Sequence, residues 1–300
     1  MFQPLVSVVI PCFNAAAFLE AAVTSVLDQT LPDFEIILCD DGSTDQTATI
    51  IGVLIARDGR IRGIKNEQNR GISHTRNHLI REAKGEFITF LDCDDLMYPD
   101  RLELQVQFLR ANPQIDIIGS HYHEFNHRRL GKVRMVKTTH QDIVHAFQYM
   151  CPIPNPTLMA RRSIFQQLSF NETLKSAEDL DLLLRAYEQG RKFANIPFVT
   201  TLYRIHNNSI STLQKFEMQI STYLALCWHN LRTPTSSDQP EVSPKDIFSK
   251  FNKSLYIRYS CARDLTVVDQ IKCLIVAPFS AIGRFFLFRK IKKLILLRSF

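Results

Sequence analysis

The chain has 300 residues, of which 45% are hydrophobic and 22% charged, the balance of a folded globular protein and not of a disordered one. Its net charge of +6 is uneven: residues 270–300 hold seven basic side chains and no acidic one, leaving 29 basic against 30 acidic residues elsewhere. The body therefore offers no general basic surface, and nucleic acid is excluded as a partner. The seven cysteines are scattered without a C-x-x-C pair, so neither a zinc site nor a disulfide framework is indicated and a cytoplasmic location is expected. Met1-Phe2-Gln3-Pro4 lacks the basic start of a signal peptide.

Residues 5–10 read as a buried strand closed by Pro11, and Ala15 to Gln29 as a helix with Phe18, Leu19, Ala22 and Val26 at helical spacing. Phe34 to Cys39 is a second apolar strand that runs into Asp40-Asp41-Gly42-Ser43. Ser43 or Thr44 can cap the next helix, which extends to about Ala56. A short strand over Arg60 to Lys65, a helix over Ser73 to Ala83 and a strand over Glu86 to Leu91 follow. This alternation predicts an α/β fold with a mostly parallel sheet flanked by helices. Ligands of such sheets bind at the carboxyl ends of the strands.

The third of these strand ends carries the most chemistry. Phe87-Ile88-Thr89-Phe90-Leu91 passes into Asp92-Cys93-Asp94-Asp95, three carboxylates in four residues. Mutual repulsion makes such a cluster costly unless a cation answers it, and oxygen ligands suit Mg²⁺ or Mn²⁺. If the backbone stays extended, Asp92 and Asp94 point one way and Asp95 the other. A solvated acidic turn ahead of the helix over 101–111 explains the same residues equally well. No G-x-G-x-x-G follows the first strand and no G-x-x-x-x-G-K-[ST] occurs, so a bound nucleotide diphosphate would need a metal in place of a glycine cradle.

Ile115 to Ser120 reads as a further strand, and the basic stretch from His121 to Thr139 as a surface strand. Pro152, Pro154 and Pro156 predict an extended segment. Ser176-Ala177-Glu178-Asp179 opens a helix with Leu180, Leu183, Leu184 and Tyr187 on one face. Asp179 there serves either as the far half of a capping box on Ser176 or as a general base at a rigid helix start. In Tyr203-Arg204-Ile205-His206 an extended chain puts Arg204 and His206 on one side, which suits a diphosphate or a metal, or a basic loop.

Taken in order, these segments resemble family 2 glycosyltransferases of the GT-A fold, over roughly residues 4–215. Val6 to Asn14 resembles the family's opening strand, Leu27-Asp28-Gln29-Thr30 the end of its first helix, and Asp40 to Asp45 its second strand end. Asn69-Arg70-Gly71 through Arg76-Asn77, the D-x-D in Gly85 to Asp95, the Glu178-Asp179 pair and Arg204-Ile205-His206 complete the series. The resemblance implies an inverting transferase that moves a sugar from a nucleotide-diphosphate donor, most often a UDP-sugar, to a glycan or lipid-linked hydroxyl acceptor. It places Pro11 and Phe13 against the base, with Asp41 accepting from its imide N–H and Arg76 beside base or phosphates. Asp92 would contact the ribose or donor sugar. Asp94 would ligate Mn²⁺ or Mg²⁺, with His206 completing the metal or phosphate contacts and Arg204 nearby. Asp179 would deprotonate the acceptor. A silent sugar-nucleotide binder or membrane scaffold is the competing reading.

The expected organisation is a catalytic domain over 1–215, a helix and linker over 216–245 and a helical basic tail over 246–300. Cys273 to Phe288 is too short for a membrane span, and Arg289 to Arg298 mixes basic with aliphatic residues. That pattern suits an interfacial helix on an anionic cytoplasmic membrane face, or a terminal helix packed on the body.

Overall fold

The computed structural model describes residues 3–126, 129–147, 150–174 and 176–206. The expectations for the linker and the basic tail lie outside these residues. Nine strands form one sheet: β1 (Val6–Cys12), β2 (Phe34–Asp40), β3 (Ile61–Lys65), β4 (Phe87–Phe90), β5 (Leu96–Met97), β6 (Ile117–Phe125), β7 (Leu130–Arg134), β8 (Met159–Arg161) and β9 (Phe193–Arg204). Their spatial order is β3-β2-β1-β4-β8-β6-β9-β5, with β7 paired to β6. The first four run parallel, and the long β6–β9 ladder is parallel as well. β8 enters antiparallel between β4 and β6.

Helices cover both faces, which is why β1 and β2 are apolar at nearly every position and not at every second one. Val8, Ile10, Ile36 and Leu38 pack with α1 (Leu19–Leu27), α2 (Thr47–Arg57) and α4 (Arg101–Ala111). The intervening Val9, Ile37, Ile88 and Phe90 pack with α3 (Ile72–Glu82), α5 (His140–Ala146) and α7 (Glu178–Glu188). The short α6 (Arg162–Phe165) adds Ile164 and Phe165 to that second core. Each such side chain, taken wholly out of water, contributes about 1.5–3 kcal/mol.

Pro11 does not close β1; the strand runs on to Cys12. β4 pairs with β1 only as far as Val9, so the amide that proline lacks faces no strand partner there. The first helix starts at Leu19 and not at Ala15, because Asn14 takes a left-handed φ of 49° and the next two amides are spent on side chains. Ala15 N–H donates to Thr47 Oγ1 and Ala16 N–H to Asp45 Oδ2. Ser43 and Thr44 are not the caps of α2; Ser43 Oγ accepts from Asn14 N–H and Thr44 N–H donates to Asn14 Oδ1. Asp45 Oδ1 instead accepts from Thr47 N–H at 2.9 Å. The basic stretch after Ser120 is continuous with β6, and His121 is buried, its Nδ1 accepting from Val136 N–H. The triple-proline segment contains a single 3-10 turn, Asn155–Thr157, instead of running extended throughout. Among the described residues no helix is long and apolar enough to cross a membrane.

Candidate active site

Beyond Phe90 the acidic segment is a turn and not a strand. Asp95 N–H donates to the Asp92 carbonyl at 3.0 Å, so the alternation expected of a pleat does not apply and the common orientation expected for Asp92 and Asp94 is corrected. Each carboxylate meets a different partner. Asp92 Oδ1 accepts from Arg76 Nη2 at 3.1 Å, and Asp94 Oδ2 lies 2.8 Å from His206 Nε2. Asp95 is buried, and its Oδ1 accepts from Arg204 N–H at 2.7 Å. Burial, then the Asp94 and Asp92 charges, hold the Asp95 carboxyl well above the usual carboxylate range. The repulsion inherent in the sequence is thus met by side chains from α3 and from the end of β9.

Arg76 is the hub of this arrangement. Its side chain is 5% exposed, sits over the Phe170 ring and donates to Asp92 and, through Nη1 at 2.5 Å, to Glu178 Oε1. Burial disfavours its charge, but Asp92, Glu178 and Asp179 outweigh that and raise its pKa. One guanidinium therefore ties the acidic turn after β4 to the start of α7. α7 begins at Glu178 with Ala177 in left-handed backbone, φ 60°, and without a side-chain cap. The helix therefore starts one residue later than a cap at Ser176 would place it. Asp179, half-buried beside Glu178, accepts from its neighbour Leu180 N–H at 2.8 Å, and Cys151 Sγ lies 3.6 Å from Oδ2. Burial first, and the Glu178 charge second, push its carboxyl up to about 6 against the lowering effect of Arg76.

On the β1–β2 side Pro11 is buried and the Phe13 ring is 47% exposed, open to stack on a planar ligand. Asp41 is more committed than expected: it accepts from Asn66 Nδ2 at 2.7 Å, Arg70 N–H at 2.9 Å and Gly71 N–H at 3.0 Å. These bonds fold the 66–71 loop against Gly42, whose φ of +71° and 2.6 Å clearance from Asn69 N leave no room for a Cβ. The adjacent Asp40 accepts from Ser43 N–H through Oδ1, whereas its buried Oδ2 has no partner among the described residues. Among the described residues Asp41 Oδ2 takes only the Gly71 bond and so keeps accepting capacity of its own.

Two further residues escaped sequence reasoning. Arg101 is fully buried beneath the acidic turn and donates to the Phe90 carbonyl, the Pro156 carbonyl, Thr89 Oγ1 and Thr201 Oγ1, joining β4, β9 and the 3-10 turn. Burial lowers its pKa to about 9, with Asp95 and Asp92 opposing. Asn155 is 5% exposed, and neither polar atom of its amide has a partner among the described residues. No motif marks either residue, since both roles arise from contacts far apart in sequence.

Among the described residues no three His, Cys, Asp or Glu side chains cluster as a metal site. The Asp94–His206 pair nonetheless fits a divalent ion that takes its other ligands from phosphate and water. Its donor atoms are 2.8 Å apart, close to the spacing of about 2.9 Å between neighbouring ligands of an octahedral ion bound at roughly 2.0–2.1 Å.

The model of a family described as glycosyl transferase family 2 matches residues 7–169. An uncharacterized glycosyltransferase of Rickettsia conorii is 35% identical over 58% of this chain, which spans only 28% of that relative's length. One of Methanocaldococcus jannaschii is 31% identical over 77% of this chain and 81% of its own. The Escherichia coli UDP-Glc:alpha-D-GlcNAc-diphosphoundecaprenol beta-1,3-glucosyltransferase WfaP is 34% identical over 69% of this chain and 80% of its own. Among solved structures, S. aureus TarS 1-349 in complex with UDP-GlcNAc has a TM-score of 0.68 at 20% identity, covering 91% of this chain and 80% of its own. The Pyrobaculum calidifontis mannosyltransferase PcManGT in complex with GDP-Man and Mn2+ has a TM-score of 0.60 at 16% identity, covering 95% and 84%.

Proposed function

This chain belongs to glycosyl transferase family 2, and on that premise we propose that it transfers a sugar from a UDP-sugar to a hydroxyl of a lipid-linked or glycan acceptor, with inversion. The observation that carries the reading is Arg76: a single buried guanidinium binds both Asp92 and Glu178. It thereby ties the start of α7, which carries the base candidate Asp179, to the acidic turn, which carries Asp94. The likeness to an E. coli UDP-glucose transferase that acts on a diphosphoundecaprenol-linked sugar supports this donor and acceptor class.

In this proposal Phe13 stacks on the base, Pro11 walls it, and Asp41, which orders the 66–71 loop, accepts from the imide N–H with its remaining capacity. Asp92 and Arg76 hold the donor sugar at the strand end. Asp94 and His206 are the residues that would hold Mn²⁺ or Mg²⁺. When bound, that ion offsets the charge developing on the departing diphosphate. Asp179 takes the proton of the acceptor hydroxyl as its oxygen forms the new bond to the anomeric carbon. The bond from that carbon to the β-phosphate oxygen breaks, and its electron pair leaves with UDP. A single displacement of this kind inverts the centre. A carboxylate raised to about 6 is a stronger base than an ordinary one yet still ionised at pH 7.

The test is UDP release from a panel of UDP-sugars with Mn²⁺ or Mg²⁺, comparing wild type with Asp179→Asn. Turnover by wild type, and binding without turnover by the variant, is the expected result. Equal turnover by both would remove Asp179 from the reaction, and binding without turnover by wild type would favour a silent sugar-nucleotide binder.

A further inference from the structure

We infer that Arg204 is a positioning residue that fixes the Asp94–His206 pair; this rests on the function proposed above. Its guanidinium lies against two aromatic rings. Its Cζ lies 4.8 Å from the Phe18 ring centroid and 4.4 Å from that of Phe125, inside the range of a cation–π contact. Nε is directed at protein and donates to the Asp94 carbonyl at 2.6 Å, while the Arg204 amide donates to Asp95 Oδ1 at 2.7 Å.

The stack joins three elements at one point. Phe18 immediately precedes α1, Phe125 ends β6, and Arg204 ends β9. The next residue, Ile205, donates its amide to the Phe125 carbonyl at 2.8 Å. One residue further, His206 reaches Asp94 Oδ2, and its ring lies 5.0 Å from Phe18. One aromatic ring thus flanks both Arg204 and His206, and one guanidinium grips the main chain of the residue whose side chain His206 meets. The chain leaves β9 at an angle set by these contacts. Loss of the stack would let the imidazole and the Asp94 carboxylate drift apart. A direct ligand of the donor diphosphate would act instead through the Nη1–Nη2 fork.

The two roles separate in a titration of the full chain with Mn²⁺ and UDP, read by thermal stabilisation and by calorimetry. The variants are Arg204→Met, Arg204→Lys, Phe18→Leu, Phe125→Leu and the conservative Phe125→Tyr. Outer contacts that orient a ligand typically cost 10- to 100-fold in metal affinity when removed. Arg204→Met, Phe18→Leu and Phe125→Leu should therefore each raise the Mn²⁺ concentration for half-maximal stabilisation by about 10-fold or more. At saturating Mn²⁺ their UDP affinity should return to within roughly threefold of wild type, under 1 kcal/mol, and Phe125→Tyr should behave as wild type. The inference is overturned if Arg204→Met keeps a large UDP deficit at saturating Mn²⁺ while both phenylalanine variants match wild type. Arg204→Lys keeps the charge but not the planar stack, so it should resemble Arg204→Met; full function in Arg204→Lys would also count against the stack. If wild type itself shows no stabilisation by UDP and Mn²⁺, the proposed donor site fails and this inference falls with it.

Discussion

Asp179→Asn should separate stability from activity in opposite directions. In the folded chain the carboxyl is raised from an ordinary value of 3.8 to about 6. The native state therefore holds this proton more tightly than the unfolded state, and ionisation removes stability as pH rises from about 4 through 6. At roughly 1.36 kcal/mol per tenfold change in proton affinity, the full difference is about 3 kcal/mol. Asp179 is only half-buried, so solvent screening reduces the expected gain on removing the charge to about 1–2 kcal/mol. Urea unfolding at pH 4 and pH 8 reads this directly. The two proteins should coincide at pH 4, and the asparagine variant should be the more stable at pH 8. UDP-sugar turnover should fall by about 10²–10⁴, and wild-type turnover should drop on the acid side near pH 6. A variant no more stable than wild type at pH 8, or one that keeps its turnover, would refute the argument.

Glu178→Gln removes the charge that raises Asp179 and leaves Arg76 to act on it alone, so the acid limb of the pH–rate profile should move below its wild-type position; a limb that stays or rises contradicts the assignment. Arg76→Met leaves Asp92 and Glu178 without their shared partner and should cost about 3–5 kcal/mol in denaturant unfolding; a loss near zero would show that the buried network carries no strain when broken. Asn155→Leu replaces an amide whose two polar atoms lack partners among the described residues, and thermal unfolding should rise by an amount equivalent to about 1 kcal/mol. A clear fall would mean that the amide is satisfied by an ordered water.

The parts of the fold legible in the sequence were those written in local pattern. The continuous apolar runs of β1 and β2 marked buried strands, and the bounds of α4, Arg101–Ala111, are those read from the sequence. The capping of α2 and α7 was not legible. Asn14 competes for Ser43 and Thr44, and Ala177 adopts a left-handed backbone that no side-chain rule anticipates. At the site the acidic residues themselves were apparent, but their arrangement was not, because the hydrogen bond from Asp95 to Asp92 turns the chain where a pleat was assumed. Arg101, Asn155 and the Phe18–Arg204–Phe125 stack depend on neighbours brought from other elements, so no spacing in the sequence announces them. Asp40 and Asp41 show how fine the difference is. β2 ends in Asp40, and the 66–71 loop engages the next carboxylate, Asp41, and not the side chain of Asp40.

The central claim is a single displacement at the anomeric carbon, driven by Asp179 across from the turn that bears Asp92 and Asp94. Proton NMR of the sugar product during turnover of an α-linked UDP-sugar tests it most directly. The account predicts that the first-formed product is the β anomer, absent when Asp179→Asn replaces wild type. An α-configured first product would contradict it.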